Sequence, residues 1–166
     1  RIATILGTFQ STLTNFKYLS REWQRNCEEE RLLGVSLTGI MDNALTNGTK
    51  GDTKKLLNEL RQVAVDTNRE YADKLGIERS ASITCVKPSG TVSQLVDSAS
   101  GIHARHNPYY IRTVRADNKD PLCKMMKAEG FPNEPDVTKP DHTTVFSFPA
   151  KSPSGAVCRN DMTAWR

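Results

Sequence analysis

No long hydrophobic run occurs in this sequence, and that absence argues against one class of protein at once. A membrane-spanning helix needs about 20 consecutive apolar residues, and no stretch of the 166 residues comes close to that length. Cysteine is also scarce: there are four, with no Cys-x-x-Cys pair, which argues against a zinc ribbon and against a disulfide-stabilised scaffold. We therefore expect a cytoplasmic protein with no membrane partner.

The sequence also lacks a strong charge of either sign. Lys and Arg number 23 and Asp and Glu 19, which gives a net charge of +4. This small excess suits an anionic ligand, but it is less than the concentrated basic surface that nucleic-acid-binding proteins carry. Nucleic acid is therefore not expected as a partner.

Apolar spacing predicts the main secondary-structure elements. A helix is expected from Ile2 to about Tyr18, and a longer one begins at Asp52 or Thr53 and ends at Gly76. A short helix runs from Asp120 to Gly130, residues 131–141 form a loop, and strands are expected at residues 32–40, 81–86, 109–114 and 143–148. Such alternation favours an α/β fold with parallel strands. Because the chain begins and ends abruptly, we interpret residues 1–166 as one piece of a larger domain, truncated at both ends.

The most informative stretch follows the expected strand at residues 81–86. It reads Lys87-Pro88-Ser89-Gly90-Thr91-Val92 and leads into a helical pattern. A turn of this composition directs backbone N–H groups and two hydroxyls outward at the start of a helix, which suits a phosphate group. An ordinary turn with a Ser or Thr cap explains the same residues equally well. It is not a Walker A loop, because the Gly-x-x-x-x-Gly-Lys-Ser/Thr pattern is absent.

Three further groups of residues are candidates for chemistry. Arg105, Arg112 and Arg115 occur with no acidic residue among them, and they suit either a polyphosphate or a solvated basic edge. His103 and His106 have a spacing that two metal ligands use on a helix, but no third ligand is evident, so no metal is expected. Cys27 lies in a highly charged stretch, which favours an exposed helix end over a catalytic thiol.

Five ordered stretches together resemble one family. They are Gly34-Val35-Ser36-Leu37-Thr38-Gly39-Ile40, residues 86–95 around the Pro-Ser-Gly-Thr turn, Ser100-Gly101-Ile102-His103, Tyr109-Tyr110-Ile111-Arg112, and Phe146-Ser147-Phe148-Pro149-Ala150-Lys151. In this order the chain is similar to adenosylcobalamin-dependent (class II) ribonucleotide reductases, and most of all to the monomeric enzymes that reduce ribonucleoside triphosphates. The resemblance extends over nearly the whole chain.

The resemblance implies a fold and a set of binding residues. The fold is the second half of a ten-stranded α/β barrel. The substrate's phosphates are expected at Pro88, Ser89, Gly90, Thr91 and Val92. Adenosylcobalamin is expected downstream of that turn, with His103, Arg112 and Arg115 as candidate contacts.

The family's chemistry begins with a thiyl radical on a loop cysteine, and the cofactor carries the difficult step. Asn26-Cys27-Glu28-Glu29 departs from the family's Asn-x-Cys-x-Glu motif in spacing and in position. We therefore expect no catalytic residue in this chain, an inactive fragment, and the radical and redox cysteines elsewhere in a longer, monomeric enzyme that a thioredoxin-like dithiol re-reduces. The alternatives are the large subunit of a class I or III reductase and a non-catalytic nucleotide-binding module.

Overall fold

The computed structural model describes residues 1–163, which fall into two compact units. The first unit comprises Arg1–Arg105 with Gly155–Val157, and the second comprises His106–Ser154 with the described residues that follow Val157. The helices are α1 (Ile2–Gln10), α2 (Arg21–Glu30), α3 (Thr53–Leu75), α4 (Val92–Leu95) and α5 (Pro121–Ala128). The strands are β1 (Tyr109–Asp117), β2 (Asn133–Pro135) and β3 (Thr143–Lys151), and 3₁₀ turns occur at Ile40–Asp42 and Arg159–Asp161. No helix in this part of the chain is long and apolar enough to cross a membrane.

Helix α3 begins and ends where its sequence predicts. The Asp52 carboxylate accepts a hydrogen bond from the backbone N–H of Lys55 at 3.0 Å, as an N-cap residue does. Gly76 follows the last turn with φ +65°, a left-handed conformation that favours glycine. The residues at its two ends are therefore sufficient to predict where this helix begins and ends.

The most deeply buried positions of α3 are occupied by small and polar residues. Its buried residues are Ala64, Thr67, Asn68 and Ala72, and they face the buried Thr4 and Thr8 of α1. The Asn68 amide donates hydrogen bonds to the hydroxyls of Thr8 (3.1 Å) and Ser80 (2.9 Å). Small and hydrogen-bonded residues therefore form this contact, while Leu57, Leu60 and Val63 are exposed.

The expected helix from Ile2 to Tyr18 is shorter than its apolar pattern predicts. It ends at Gln10, and Ile2, Leu6 and Leu13 are largely exposed. The buried residues of α1 are Thr4 and Thr8, four positions apart and so on one helix face. The most deeply buried positions of α1 are therefore polar, although Phe9 of the apolar set also packs edge to face on Tyr71 of α3.

The two strands expected in the first unit are reduced to a single parallel bridge between Val35 and Thr84. The backbone N–H of Val35 donates to Ile83 O at 2.9 Å, and that of Cys85 donates to Val35 O at 3.0 Å. Residues 32–40 and 81–86 thus run alongside each other without forming regular strands. The expectation of a buried strand at 32–40 was wrong, since Leu32 and Leu37 are exposed.

The second unit contains a three-stranded sheet in the order β1-β3-β2. Both pairings are antiparallel, with Tyr109 opposite Lys151 and Asp117 opposite Thr143 at the ends of the β1–β3 ladder. The expected parallel arrangement was therefore wrong for this sheet, although the mixed helix and strand content was predicted correctly. Residues 133–135, expected to be loop, pair with β3 as the edge strand β2.

Helix α5 and β3 supply much of the buried core of this unit. The Asp120 carboxylate caps α5 by accepting from the Leu122 N–H at 2.8 Å, with Pro121 at the first helical position, as the sequence predicts. Cys123 of α5 and Phe146 of β3 are 1% and 2% exposed.

Candidate functional site

Three separate stretches of the first unit meet at the hydroxyl group of Thr38. Its oxygen lies 2.6 Å from Ser89 Oγ and 3.0 Å from Ala99 O. It also accepts a hydrogen bond of 3.1 Å from the backbone N–H of Gly101. The backbone N–H of Gly39 donates to the same Ala99 carbonyl at 2.8 Å. The stretches at residues 34–40, 86–95 and 100–103, which carried the family resemblance, are therefore in contact.

Gly101 lies where no larger residue fits. Its φ is +56°, and a Cβ atom placed on it would lie 2.9 Å from the backbone oxygen of Lys87. The segment after Ser98 thus approaches the backbone just before the Pro-Ser-Gly-Thr turn as closely as packing allows. Glycine meets both requirements, since it adopts positive φ readily and has no Cβ.

The Pro-Ser-Gly-Thr turn itself is open to solvent. Pro88, Gly90, Thr91 and Val92 are exposed, and Ser89 is half-buried. Within the described chain, the backbone N–H groups of Gly90 and Thr91 donate to no protein acceptor, and neither does the Thr91 hydroxyl. These donors are available to an external anion.

The helix that follows the turn differs from the one expected. Helix α4 has only four residues, a single turn, so its aligned peptide dipoles contribute little to binding an anion. The Ser89 carbonyl accepts hydrogen bonds from the N–H of Ser93 at 3.1 Å and from the buried Ser93 hydroxyl. The turn is therefore fixed at Ser89, and its binding capacity depends on individual amides and hydroxyls.

Arg105 is not the free cation that the sequence suggested. Its guanidinium is buried and donates two hydrogen bonds of 2.9 Å to the carboxylate of Asp42. It also donates to the backbone oxygen of Asp97 at 2.7 Å. The second Asp42 oxygen accepts a further bond of 2.7 Å from the Ala99 N–H. Arg105 thus fixes the segment that contacts Thr38.

The three residues expected near the cofactor are divided between the two units. His103 is exposed in the first unit, and its Nδ1 donates to Ser100 O at 3.0 Å. Arg112 and Arg115 are exposed on β1 of the second unit. They are three residues apart on a strand, so their side chains project from opposite faces of the sheet. Arg112 and Arg115 therefore cannot bind one compact group together.

Arg115 already has a partner. Its Nε lies 2.6 Å from a carboxylate oxygen of the buried Asp136. A hydrogen bond from Thr138, and a second one from Arg115 with a smaller effect, hold the pKa of Asp136 well below its usual range. The Arg112 side chain, in contrast, makes no hydrogen bond or ion pair with the described residues.

A cavity of about 860 Å³ lies in the first unit among α1, α2 and the segments around Gly34 and Lys87. Its lining mixes apolar and polar side chains and includes Trp23 and Cys27 from α2. Arg31 also lines it, and the Nε atom of that residue is buried without a hydrogen-bond partner. The residues come from distant parts of the chain, so no local sequence pattern indicates this cavity.

In residues 1–163, a metal site or a disulfide would require particular side chains to lie close together. No three His, Cys, Asp or Glu side chains cluster there as a metal site would require. All four cysteines are free. Cys85 is exposed and Cys27 is partly exposed on α2, whereas Cys123 and Cys158 are buried.

Comparisons with known proteins point to one family. No family model matches this chain. It is 30% identical to the adenosylcobalamin-dependent ribonucleoside-triphosphate reductase of Lactobacillus delbrueckii subsp. bulgaricus, over 75% of this chain and 20% of that protein. Its identity to the enzyme of the same name from Levilactobacillus brevis is 30%, over 89% and 23% of the two chains. The corresponding enzyme of Euglena gracilis is 29% identical, over 89% and 20%.

A solved structure shows the same relationship. The crystal structure of a B12-dependent, class II ribonucleotide reductase superimposes with a TM-score of 0.73 and 25% sequence identity, over 95% of this chain and 26% of that one. The chain spans about a fifth of the length of the curated relatives it matches. Sequence and structure therefore agree that this chain is homologous to one part of the adenosylcobalamin-dependent ribonucleotide reductases.

Proposed function

We propose that this chain forms the substrate-phosphate-binding part of a ribonucleoside-triphosphate reductase that makes 2′-deoxyribonucleotides. The observation that supports this most is the turn at residues 88–92, fixed by Ser89 and leaving the N–H groups of Gly90 and Thr91 without a protein acceptor. Backbone amides and hydroxyls in such an arrangement bind phosphate oxygens. The names of the relatives indicate the same class of substrate.

The fold of the complete catalytic domain is a further part of this proposal. We assign residues 1–166 to a ten-stranded α/β barrel, as one piece of its catalytic domain. The parallel bridge between Val35 and Thr84 supports this assignment, because parallel pairing is typical of such barrels. The class II structure that superimposes on the chain supports it as well.

Adenosylcobalamin is the cofactor named for the relatives, and it would supply the radical that begins the reaction. The predicted contact residues fit it only in part, because Arg112 and Arg115 lie on opposite faces of β1 and Arg115 is paired with Asp136. Contacts from His103 and Arg112 remain a prediction. A contact from Arg115 would require its guanidinium to leave Asp136, and we assign no chemical step to these residues.

A reductant, an oligomeric state and a location complete the proposal. The ribonucleotide reductase reaction consumes reducing equivalents, so a dithiol reductant such as thioredoxin is expected to act on the complete protein. The likeness to the single-chain triphosphate reductases favours a monomer in the cytoplasm. None of the four cysteines described here is assigned a catalytic role.

The test is a reductase assay on the complete natural protein. Reduction of a ribonucleoside triphosphate by a dithiol is measured with and without adenosylcobalamin, for the wild type and for Ser89→Ala/Thr91→Ala. The matched control is Thr12→Ala/Ser20→Ala, which removes the same two hydroxyl types from an exposed connection.

We expect turnover that depends on the cofactor. The Ser89→Ala/Thr91→Ala variant should raise KM by about tenfold or more, because hydrogen bonds to a charged phosphate are stronger than neutral ones. Turnover that ignores the cofactor would place the protein in another reductase class. Absence of turnover would favour a non-catalytic nucleotide-binding module.

A further inference from the structure

The Thr38 hydroxyl has one proton and two acceptors that compete for it. Ala99 O, at 3.0 Å, can only accept a hydrogen bond, and Ser89 Oγ, at 2.6 Å, can accept or donate. The third neighbour, the Gly101 N–H, can only donate. Thr38 therefore donates either to Ala99 or to Ser89, never to both.

Each choice fixes the direction of the Ser89 hydroxyl. When Thr38 donates to Ala99 O, its contact with Ser89 requires the Ser89 proton, and Ser89 has none left for an external anion. When Thr38 donates to Ser89, the Ser89 proton is free to point away from Thr38. The second arrangement is the one that a phosphate oxygen, which only accepts, requires from Ser89.

The change from the first arrangement to the second leaves no buried group without a partner. Ala99 O keeps the hydrogen bond of 2.8 Å from the Gly39 N–H. The Gly101 N–H still has the Thr38 oxygen as its acceptor. Only hydroxyl protons rotate, so the reversal costs little compared with exposing an unpaired buried group.

We propose that Thr38 is a positioning residue for the phosphate-binding turn. It holds Ser89 Oγ in place and, when a phosphoryl group binds, turns its proton from Ala99 O to Ser89 so that Ser89 donates to the phosphate. This inference rests on the proposed function, because it assigns a role to a residue behind the same turn. Thr38 itself does not touch the phosphate.

The experiment is a mutant cycle on the complete protein. The dissociation constants of a ribonucleoside triphosphate and of the matching nucleoside are measured for Thr38→Val, Thr38→Ser, Ser89→Ala and the Thr38→Val/Ser89→Ala double variant. Thr67→Val is the matched control, since its buried hydroxyl donates to a backbone carbonyl of α3 away from the turn. Thr38→Cys supplies the same test if Thr38→Val does not fold, because a thiol is only a weak donor and acceptor.

We expect Thr38→Val to weaken triphosphate binding roughly threefold to tenfold, the range for one net hydrogen bond. Nucleoside binding should not change, and Thr38→Ser should restore the wild-type value. The double variant should bind the triphosphate as Ser89→Ala does, because Thr38 acts only through Ser89.

Two results would overturn the inference while leaving the proposed function intact. One is a Thr38→Val protein with wild-type affinity for the triphosphate. The other is a double variant whose loss is the product of the two single losses, since Thr38 would then act independently of Ser89. Wild-type triphosphate affinity in Ser89→Ala would also overturn the inference, because Ser89 would then not donate to the phosphate, whereas the proposed function would still rest on the amides of Gly90 and Thr91.

Discussion

Arg105 and Asp42, 63 positions apart in the sequence, form a two-point ion pair whose guanidinium is almost completely buried. Arg105 also holds the Asp97 carbonyl, while Asp42 holds the Ala99 amide. The pair therefore fixes the residues that contact Thr38, and Thr38 in turn contacts Ser89 of the Pro-Ser-Gly-Thr turn. The turn is open to solvent, but the segments that support it are held by buried hydrogen bonds and an ion pair.

Breaking this ion pair should loosen the segment at residues 97–101. In Asp42→Asn, the buried guanidinium loses the carboxylate that it contacts at two points and keeps the longer contact of 3.3 Å with the exposed Asp97 carboxylate. Removing one partner of a buried pair costs up to about 3–5 kcal/mol. We expect amide hydrogen exchange in this segment to accelerate by at least about tenfold. Asp73→Asn, which breaks the exposed Arg79–Asp73 pair, is the control, because exposed pairs contribute little. Equal effects of the two variants would contradict the account.

Gly101 should tolerate alanine less well than another glycine with similar backbone geometry. Gly101→Ala combines a positive φ with a Cβ 2.9 Å from Lys87 O, whereas Gly76→Ala combines φ +65° with no atom within 4 Å. Both variants should lose about 1–2 kcal/mol through the left-handed conformation. Only Gly101→Ala should also weaken triphosphate binding, which an equilibrium binding measurement would show. If the two variants bind the triphosphate equally well, Gly101 does not influence the turn at residues 88–92.

The carboxylate of Asp136 should make stability depend on pH. Hydrogen bonds from Thr138 and Arg115 lower its pKa in the folded protein, so its contribution is present above the unfolded pKa, about 3.9, and is lost as pH falls below it. The difference in thermal midpoint between the wild type and Asp136→Asn should be largest near neutral pH and shrink below about pH 4. The exposed Asp141→Asn is the control. A difference that does not change with pH would show that the charge of Asp136 does not matter.

Arg112 and Arg115 should respond differently to replacement by methionine. Arg115→Met removes the partner of Asp136, so it should lower the thermal midpoint. Arg112→Met breaks no side-chain bond in the described residues and should leave folding unchanged. If Arg112 contacts adenosylcobalamin, Arg112→Met should weaken cofactor binding in a direct titration of the complete protein. Unchanged cofactor affinity would remove Arg112 from the predicted contacts.

Local sequence signals predicted much of the fold and the position of the turn. Asp52 and Gly76 delimit α3, Asp120 and Pro121 begin α5, and the turn at residues 88–92 lies at the surface between an extended segment and a helix. Each of these features depends on residues that are close together in the chain.

Long-range features were predicted less well. The α1–α3 contact uses Thr8 and Asn68, polar residues that hydrophobic periodicity does not select. Arg105 resembles the exposed arginines in sequence, because its partner Asp42 is distant in the chain. The antiparallel pairing of β1 with β3 likewise depends on the path of the chain between the two strands. The alternation of helices and strands in the sequence does not determine that path.

The most direct test of the central claim is amide hydrogen exchange at residues 88–93 of the complete protein, measured with saturating ribonucleoside triphosphate and with the matching nucleoside. If the free N–H groups of Gly90 and Thr91 bind the substrate's phosphates, the triphosphate should slow exchange in this segment and the nucleoside should not. Unchanged exchange there with bound triphosphate would contradict the assignment of this turn as the phosphate site.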